Sequence, residues 1–157
     1  MAISRWKPRR ETLWPFLLAG TITWCSGFPA TVPEVGWLEV DKVGHFAAYG
    51  ALATAIVRHP ALARWPGFGL PPSLPQLWRT GWWALVLASA YGLGDEFRQS
   101  LTAGIRQYDL ADWAADTVGA TVAVVLYARW PWYRQLMETP LWKKRPKPLT
   151  AEVSSDK

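Results

Sequence analysis

Four of the uncharged stretches of the chain are rich enough in apolar residues to form helices, and charged residues separate each of them from the next. They lie at residues 12–33, 43–57, 80–94 and 117–128. The first is long enough to cross the hydrocarbon core of a bilayer, which takes about 20 residues in a helix. The other three are shorter, and each fits either a membrane helix or a buried helix of a soluble bundle. The pattern therefore predicts four helices and leaves their surroundings open.

Two features of these stretches favour a membrane. The predicted helices have apolar residues on all their faces, whereas a helix on the surface of a soluble protein has one polar face. Small residues also recur four positions apart, which lets helices approach closely in lipid. They are Gly44 and Ala48, then Ala84, Ala88 and Gly92, and then Ala115, Gly119 and Ala123. A soluble helical bundle is the alternative.

The basic residues indicate how such a bundle is oriented. With four spans and both termini on one side of the membrane, that side carries 14 of the 17 Lys and Arg residues. The other side keeps Lys42, Arg98 and Arg106 together with eight of the 12 acidic residues. Because Lys and Arg collect in cytoplasmic loops, both termini are predicted to be cytoplasmic in a multi-pass membrane protein. The same asymmetry explains the formal charge of +5 without nucleic acid, so the predicted partner is the lipid bilayer.

The predicted fold is all-α, a polytopic membrane protein with a bundle of four transmembrane helices. One domain covers residues 1–140, with helices at about 12–29, 42–59, 78–97 and 109–129. The first helix is expected to be retained as a signal anchor, because its cleavage would place the basic tail outside. Residues 141–157 are predicted to be a disordered, basic cytoplasmic tail. The lone cysteine, Cys25, excludes an internal disulfide and a cysteine-built metal cluster.

Polar side chains occur at helical spacing at the predicted outer ends of the second, third and fourth helices. The sets that share a face are Asp41, His45 and Tyr49, then Glu96 and Gln99, and then Asp109, Asp112 and Asp116, with Arg106 just before the last set. Unpaired polar groups are costly at membrane depth, so we expect these side chains to meet in one pocket that opens outward. Asp95 and Arg98 fall off this face and are expected to be solvated.

Glu96 and His45 are the candidate catalytic residues. A desolvated carboxylate beside an imidazole could exchange protons as general acid and base. The alternative is a structural role, in which His45 is held between Glu96 and Tyr49 and Glu96 pairs with Arg106. The sequence alone leaves both interpretations open.

Arg106 and the carboxylates also have two interpretations. Arg106 could bind a phosphate or carboxylate of a lipid-linked substrate, or it could neutralise the acidic residues that follow it. Asp112 and Asp116 are one turn apart, and with Glu96 and His45 they could hold a hard divalent cation. Because no compact ligand motif is present, no metal site and no cofactor are predicted.

Three segments of the chain together resemble the VanZ-like family of integral membrane proteins. They read DKVGHFAAYGAL from Asp41, GDEFRQ from Gly94 and RQYDLADWAADTVGA from Arg106. The family pattern has Asp-Lys and then His on the second helix, Glu-x-x-Gln at the end of the third, and Arg, Asp and Asn before a Gly on the fourth. The matching positions are His45, Glu96, Gln99, Arg106, Asp112 and Gly119, and Asp116 stands where the family most often has Asn.

The resemblance implies a multi-pass cell-envelope protein of the bacterial cytoplasmic (inner) membrane, in a family whose founding member is associated with resistance to the glycopeptide antibiotic teicoplanin. It implies no established mechanism. The leading hypothesis is a protein that binds an envelope component, such as a lipid-linked one, or a partner through the outward-facing pocket. The alternative is a membrane-embedded enzyme that acts on a lipid-linked or anionic envelope substrate, with Glu96 and His45 as acid and base.

Overall fold

The computed structural model describes residues 12–28, 40–59, 73–101 and 109–138. These residues form five α-helices and no strand. The helices are α1 (Trp14–Ser26), α2 (Val40–Val57), α3 (Leu74–Ser100), α4 (Leu110–Arg129) and α5 (Pro131–Glu138). Over the described part of the chain, the predicted all-α class is confirmed.

Local interactions set the start of α3 and extend the helix ahead of the uncharged run. At its start, the backbone N–H of Ser73 donates to Oε1 of Gln76 at 3.0 Å, which is half of a capping box. Pro75 lies in the first turn, where a missing N–H leaves no hydrogen bond unmade. The helix therefore begins at Leu74, ahead of the predicted position 78, and at 27 residues it is the longest described helix.

By length and composition alone, one described helix could cross a membrane, and it is α4. The first run, which met the length criterion in the sequence, forms a helix of only 13 residues in α1. One helix of this kind is weak support for a membrane protein, because buried helices of soluble proteins pass the same test. The case for further spans therefore depends on what the helices expose and what they bury.

Small side chains bring α2, α3 and α4 together. Ala53, Ala84 and Ala120 have no exposed surface. The closest approach is between α2 and α4, where a Cβ added at Gly119 would overlap the backbone carbonyl of Phe46. Close backbone packing of this kind is what the four-residue spacing of small residues predicts.

The outer surface of the bundle is apolar. Large side chains with more than half of their surface exposed occur on α1, α3 and α4, including Phe16, Leu17, Trp24, Phe97 and Val118. Most of the strongly buried polar residues, by contrast, lie at one end of the interior. A soluble bundle also buries apolar side chains, as this one does at Leu52 and Val57, but it seldom leaves large apolar side chains exposed together on several helices.

The helix α5 was not predicted from the sequence. It follows α4 after a break at Trp130, because the pyrrolidine ring of Pro131 cannot continue the helix hydrogen bonds. The Tyr133 hydroxyl lies 3.1 Å from the Thr54 hydroxyl, and Arg134 Nη1 donates to the Tyr127 carbonyl at 3.3 Å. These contacts hold α5 against the ends of α2 and α4.

Candidate functional site

Polar side chains from three helices meet at one end of the bundle, where α2 and α4 begin and α3 ends. We call this group the polar cluster. Its members are Asp41, Lys42, His45 and Tyr49 of α2, Asp95, Glu96 and Gln99 of α3, Asp112 and Asp116 of α4, and Asp109 immediately before α4. Glu96, Gln99, Asp112 and Asp116 are at most 4% exposed.

His45 lies between two carboxylates of α4. Its Nδ1 is 2.9 Å from Oδ1 of Asp116, and its Nε2 is 3.9 Å from Oδ2 of Asp112. The Tyr49 ring, one turn further along α2, is parallel to the imidazole with a centroid separation of 6.3 Å. The helical spacing places His45 and Tyr49 on one face of α2, and that face packs against α4.

Lys42 neutralises part of the negative charge. Its Nζ donates to Oδ1 of Asp112 at 3.1 Å and to Oδ2 of Asp109 at 3.3 Å. The Asp112 side chain is 6% exposed and the Lys42 side chain 31%, so the lysine extends from the interior to the surface. Sequence reasoning placed Lys42 only among the outer basic residues, although it stands beside Asp41 in the Asp-Lys pair of the family pattern.

Glu96 contacts backbone and amide groups rather than His45. Its Oε2 accepts the backbone N–H of Asp109 at 3.2 Å, and its Oε1 accepts Nε2 of Gln99 at 3.5 Å. The carboxylate therefore ties the end of α3 to the residue that precedes α4. The alternative in which His45 is held between Glu96 and Tyr49 agrees with the structure only at Tyr49, because the imidazole hydrogen-bonds to Asp116 rather than to Glu96.

The expectation that Asp95 and Arg98 are solvated is wrong for Asp95, whereas the Arg98 side chain keeps 38% of its surface exposed. Asp95 is 5% exposed and accepts Nη2 of Arg98 at 2.9 Å. The same Nη2 donates to the Ser26 hydroxyl at 2.7 Å and to the Thr23 carbonyl at 3.3 Å. The Asp95 carboxylate also accepts Nε2 of Gln99, and the Arg98 guanidinium links α3 to the end of α1.

Asp109 caps α4. Its Oδ1 accepts the backbone N–H of Ala111 at 2.8 Å, which satisfies one of the free donors of the first turn. This hydrogen bond, together with the nearby Lys42 ammonium, holds the pKa of the Asp109 carboxyl below its usual range. Asp109 is therefore a carboxylate at neutral pH.

Two deeply buried oxygens of the cluster have no hydrogen-bond partner among the described residues. They are the Tyr49 hydroxyl and Oδ2 of Asp116. Both groups approach Gly92 of α3, where an added Cβ would lie 2.6 Å from Oδ2 of Asp116 and 3.1 Å from Cε1 of Tyr49. A glycine at position 92 is what makes room for these two side chains.

The cluster also contains an arrangement of metal-ligand type. Asp41, His45 and Asp112 each offer one ligand atom, and the three atoms lie within 4.8 Å of one another. Asp41 and His45 come from one face of α2 and Asp112 comes from α4. The predicted combination of Glu96, His45, Asp112 and Asp116 is not the set that forms this arrangement among the described residues.

Most of the predicted site residues thus lie together. The structure brings Asp41, His45, Tyr49, Glu96, Gln99, Asp109, Asp112 and Asp116 into one cluster, and Arg106 lies outside the described residues. Lys42 and Asp95 are the members that sequence reasoning did not assign to the pocket. Chemically, the cluster can bind a cation or exchange a proton, because carboxylates outnumber basic groups in the part that is described.

No curated protein and no solved structure matches the chain. The family model described as VanZ/LLP1 matches residues 4–132, a range that includes α1 to α4 and the whole polar cluster. The chain therefore belongs to the VanZ/LLP1 family.

Proposed function

We propose that this chain is a multi-pass protein of the bacterial cytoplasmic membrane in which α1 to α4 cross the bilayer. The proposal is supported by the apolar outer surface of the helices, together with the carboxylates buried at one end of the interior. Large apolar side chains such as Phe16 and Phe97 are 69% and 60% exposed, while Asp116 in the interior has no exposed surface. Exposed apolar surface of this extent is stable in lipid and unfavourable in water.

In the same proposal both termini are cytoplasmic and the polar cluster opens to the outer side. The support is the basic bias of the segments joined to the other end of the bundle, which carry 14 of the 17 Lys and Arg residues. Exposed Trp130 and Trp132 at the start of α5 fit the inner headgroup level, where indole rings combine an apolar body with an N–H donor.

The function proposed for the cluster is to bind a component of the cell envelope, or a partner protein, at the outer leaflet. The observation that carries this proposal is the convergence of Asp112, Asp116, Glu96 and His45 at one end of three apolar helices. Buried ionisable groups in membrane helices are costly and mark functional sites more often than positions of mere packing. Membership of the VanZ/LLP1 family extends the proposal to a role in teicoplanin resistance.

The enzyme alternative stays a prediction. Its catalytic pair is not in contact, because His45 bonds to Asp116 and Glu96 bonds to the Asp109 backbone and Gln99. These partners favour positioning roles for Glu96 and His45. An enzyme and a binding protein are distinguished by the envelope lipids of a deletion strain, since loss of an enzyme causes its lipid-linked substrate to accumulate.

The topology is tested by labelling intact cells with a membrane-impermeant maleimide. In a Cys25→Ser background, Leu101→Cys at the end of α3 is expected to react in intact cells. Leu136→Cys on α5 is the matched control, because it is comparably exposed (62% against 70%) and is expected to react only after permeabilisation. Labelling of Leu136→Cys in intact cells would contradict the proposed orientation.

The binding role is tested by the susceptibility of a deletion strain to teicoplanin and by its envelope lipids. The deletion strain is expected to become more susceptible, and the wild-type gene is expected to restore resistance. His45→Gln is expected to lose the phenotype at normal membrane abundance, whereas Gly94→Ala, with no atom near the added Cβ, is expected to retain it. A deletion strain with unchanged susceptibility and unchanged envelope lipids would rule out the proposed role.

A further inference from the structure

We propose that Asp41, His45 and Asp112 form a binding site for a divalent first-row transition-metal ion. The ion would join α2 to α4 at the end of the bundle where the polar cluster lies. This inference goes beyond the function proposed above and does not depend on it, because metal binding is measured on the purified protein whatever its orientation or partner.

The first support is the geometry of the ligand atoms. The three donor atoms lie within 4.8 Å of one another, and His45 Nε2 is 3.9 Å from Oδ2 of Asp112. That distance is too long for a hydrogen bond. Two metal–ligand bonds of about 2.0–2.2 Å place their donor atoms about 3–4 Å apart, so a cation fits between these two atoms.

The second support is the orientation of the imidazole. Asp116 has no exposed surface, and its Oδ1 is 2.9 Å from Nδ1 of His45. When Nδ1–H donates to this carboxylate, a neutral imidazole has its lone pair on Nε2, the nitrogen that lies 3.9 Å from Oδ2 of Asp112. A carboxylate that fixes the tautomer of a histidine in this way is the usual outer partner of a metal-binding imidazole.

The third support is the charge of the interior. In the described part of the cluster, the side chains of Glu96, Asp112 and Asp116 are buried, and Lys42 donates to Asp112 and to the more exposed Asp109. Arg106, outside the described residues, would add at most one positive charge. The Asp116 carboxylate is wholly buried, and its Oδ2 has no partner among the described residues. A bound cation lowers the cost of burying this excess negative charge.

Lys42 and the metal ion are compatible at Asp112. The ammonium group contacts Oδ1, at 3.1 Å, and Oδ2 is the oxygen that faces His45. One carboxylate can therefore serve both cations. One nitrogen and two oxygen donors suit Zn²⁺ or Mn²⁺, whereas Mg²⁺ and Ca²⁺ prefer oxygen donors alone.

The experiment uses the full-length protein in detergent micelles, stripped of metal with a chelator. Titration with Zn²⁺ is expected to give about one ion per chain, as a single site requires. Co²⁺ in its place is expected to give visible d–d absorption of a site with a nitrogen ligand, which a purely structural role of these residues would not produce. Mg²⁺ is expected to compete weakly.

Three variants remove ligands and one serves as the control. Asp41→Asn, His45→Gln and Asp112→Asn are each expected to weaken Zn²⁺ binding at least about tenfold, in the range seen when metal ligands or their partners are changed. Asp109→Asn also removes a carboxylate beside Lys42, but this residue is not among the three ligands, and Asn still caps α4. Its Zn²⁺ affinity is expected to stay within about twofold of the wild type.

Two results would overturn the proposal. One is the absence of stoichiometric binding by wild-type protein that elutes as a single monodisperse species. The other is an equal loss of affinity in Asp109→Asn and Asp112→Asn, which indicates diffuse attraction to acidic groups. Thermal unfolding of each variant without metal identifies any that lose binding because they unfold. Asp41 is only partly buried, so Asp41→Asn is expected to stay folded and to report on metal binding alone.

Discussion

His45 Nδ1 lies 2.9 Å from Oδ1 of Asp116, across the interface between α2 and α4. The two residues are 71 positions apart in the chain, and Asp116 has no exposed surface. A hydrogen bond between a histidine and a fully buried carboxylate ties the two helices together at the polar cluster. Because Nδ1 is engaged by Asp116, Nε2 is the ring nitrogen that remains available to other groups.

This pair predicts an asymmetric response to substitution. His45→Leu leaves the Asp116 carboxylate buried without its partner and is expected to lower the free energy of unfolding by about 3–5 kcal/mol. Asp116→Asn keeps a carbonyl oxygen that accepts from Nδ1 and is expected to cost about 1 kcal/mol or less. Denaturation in mixed detergent micelles measures both. If Asp116→Asn is as damaging as His45→Leu, the charge of Asp116 is essential.

The contact between Gly119 and Phe46 predicts that α2 and α4 tolerate no larger residue at this crossing. In Gly119→Ala the added methyl group would overlap a backbone carbonyl, so the helices must separate, at a cost of about 1–3 kcal/mol or more. Gly94→Ala is the matched control, with no atom within 4 Å of the added Cβ. It is expected to gain up to about 1 kcal/mol from helix propensity. Thermal unfolding followed by size-exclusion chromatography compares the two, and equal melting temperatures would contradict the packing.

Glu96 is expected to act by position rather than by proton transfer. Glu96→Ala leaves the Asp109 backbone N–H without its acceptor and is expected to cost about 1–3 kcal/mol, so membrane abundance falls with the phenotype. Glu96→Gln keeps a carbonyl oxygen and is expected to retain most of the membrane abundance and most of the phenotype. A Glu96→Gln protein that is abundant but inactive would instead support the enzyme alternative. Quantitative immunoblots of membranes, read beside antibiotic susceptibility, separate these results.

The cap at Asp109 predicts a pH-dependent contribution to stability. Its pKa is lower in the folded protein than in the unfolded chain, so the contribution is complete above the unfolded pKa and is lost as the pH falls through the folded one. Asp109→Ala is expected to cost about 0.5–2 kcal/mol at neutral pH. The difference from the wild type is expected to shrink below a pH of about 4. Asp109→Asn keeps the cap and does not titrate, so its stability relative to Asp109→Ala is expected to be independent of pH. A constant difference between wild type and Asp109→Ala down to low pH would contradict this account.

Much of the candidate site could be predicted from spacing along single helices. Asp41, His45 and Tyr49 recur every four residues, and Asp112 and Asp116 do the same, so each set had to share a face. The prediction that such faces turn toward one another followed from the cost of isolated polar groups. The contacts among Asp41, His45 and Asp112 agree with it.

The pairing within the site could not be predicted in this way. Whether His45 meets Glu96 or Asp116 depends on the rotation of α3 and α4 about their axes, which spacing within one helix does not specify. Asp95 is the clearest example, because it lies next to Glu96 on α3 and was expected to face solvent. The Asp95 carboxylate is instead buried beside Gln99 and paired with Arg98, whose guanidinium reaches the Ser26 hydroxyl of α1 and stays partly exposed.

The chain's local pattern was therefore sufficient for the existence of α1 to α4, for the small residues between them and for the end of the bundle where polar groups gather, but not for α5. These properties arise from residues within a few turns of one another, and helical periodicity relates them directly. The hydrogen-bonded pairs, the ligand set of Asp41, His45 and Asp112, and the attachment of α1 arise from packing between segments far apart in the chain. The contact of Gly119 with Phe46 sets the separation of α2 and α4, and fractions of an ångström in that separation determine which polar atoms come within bonding distance.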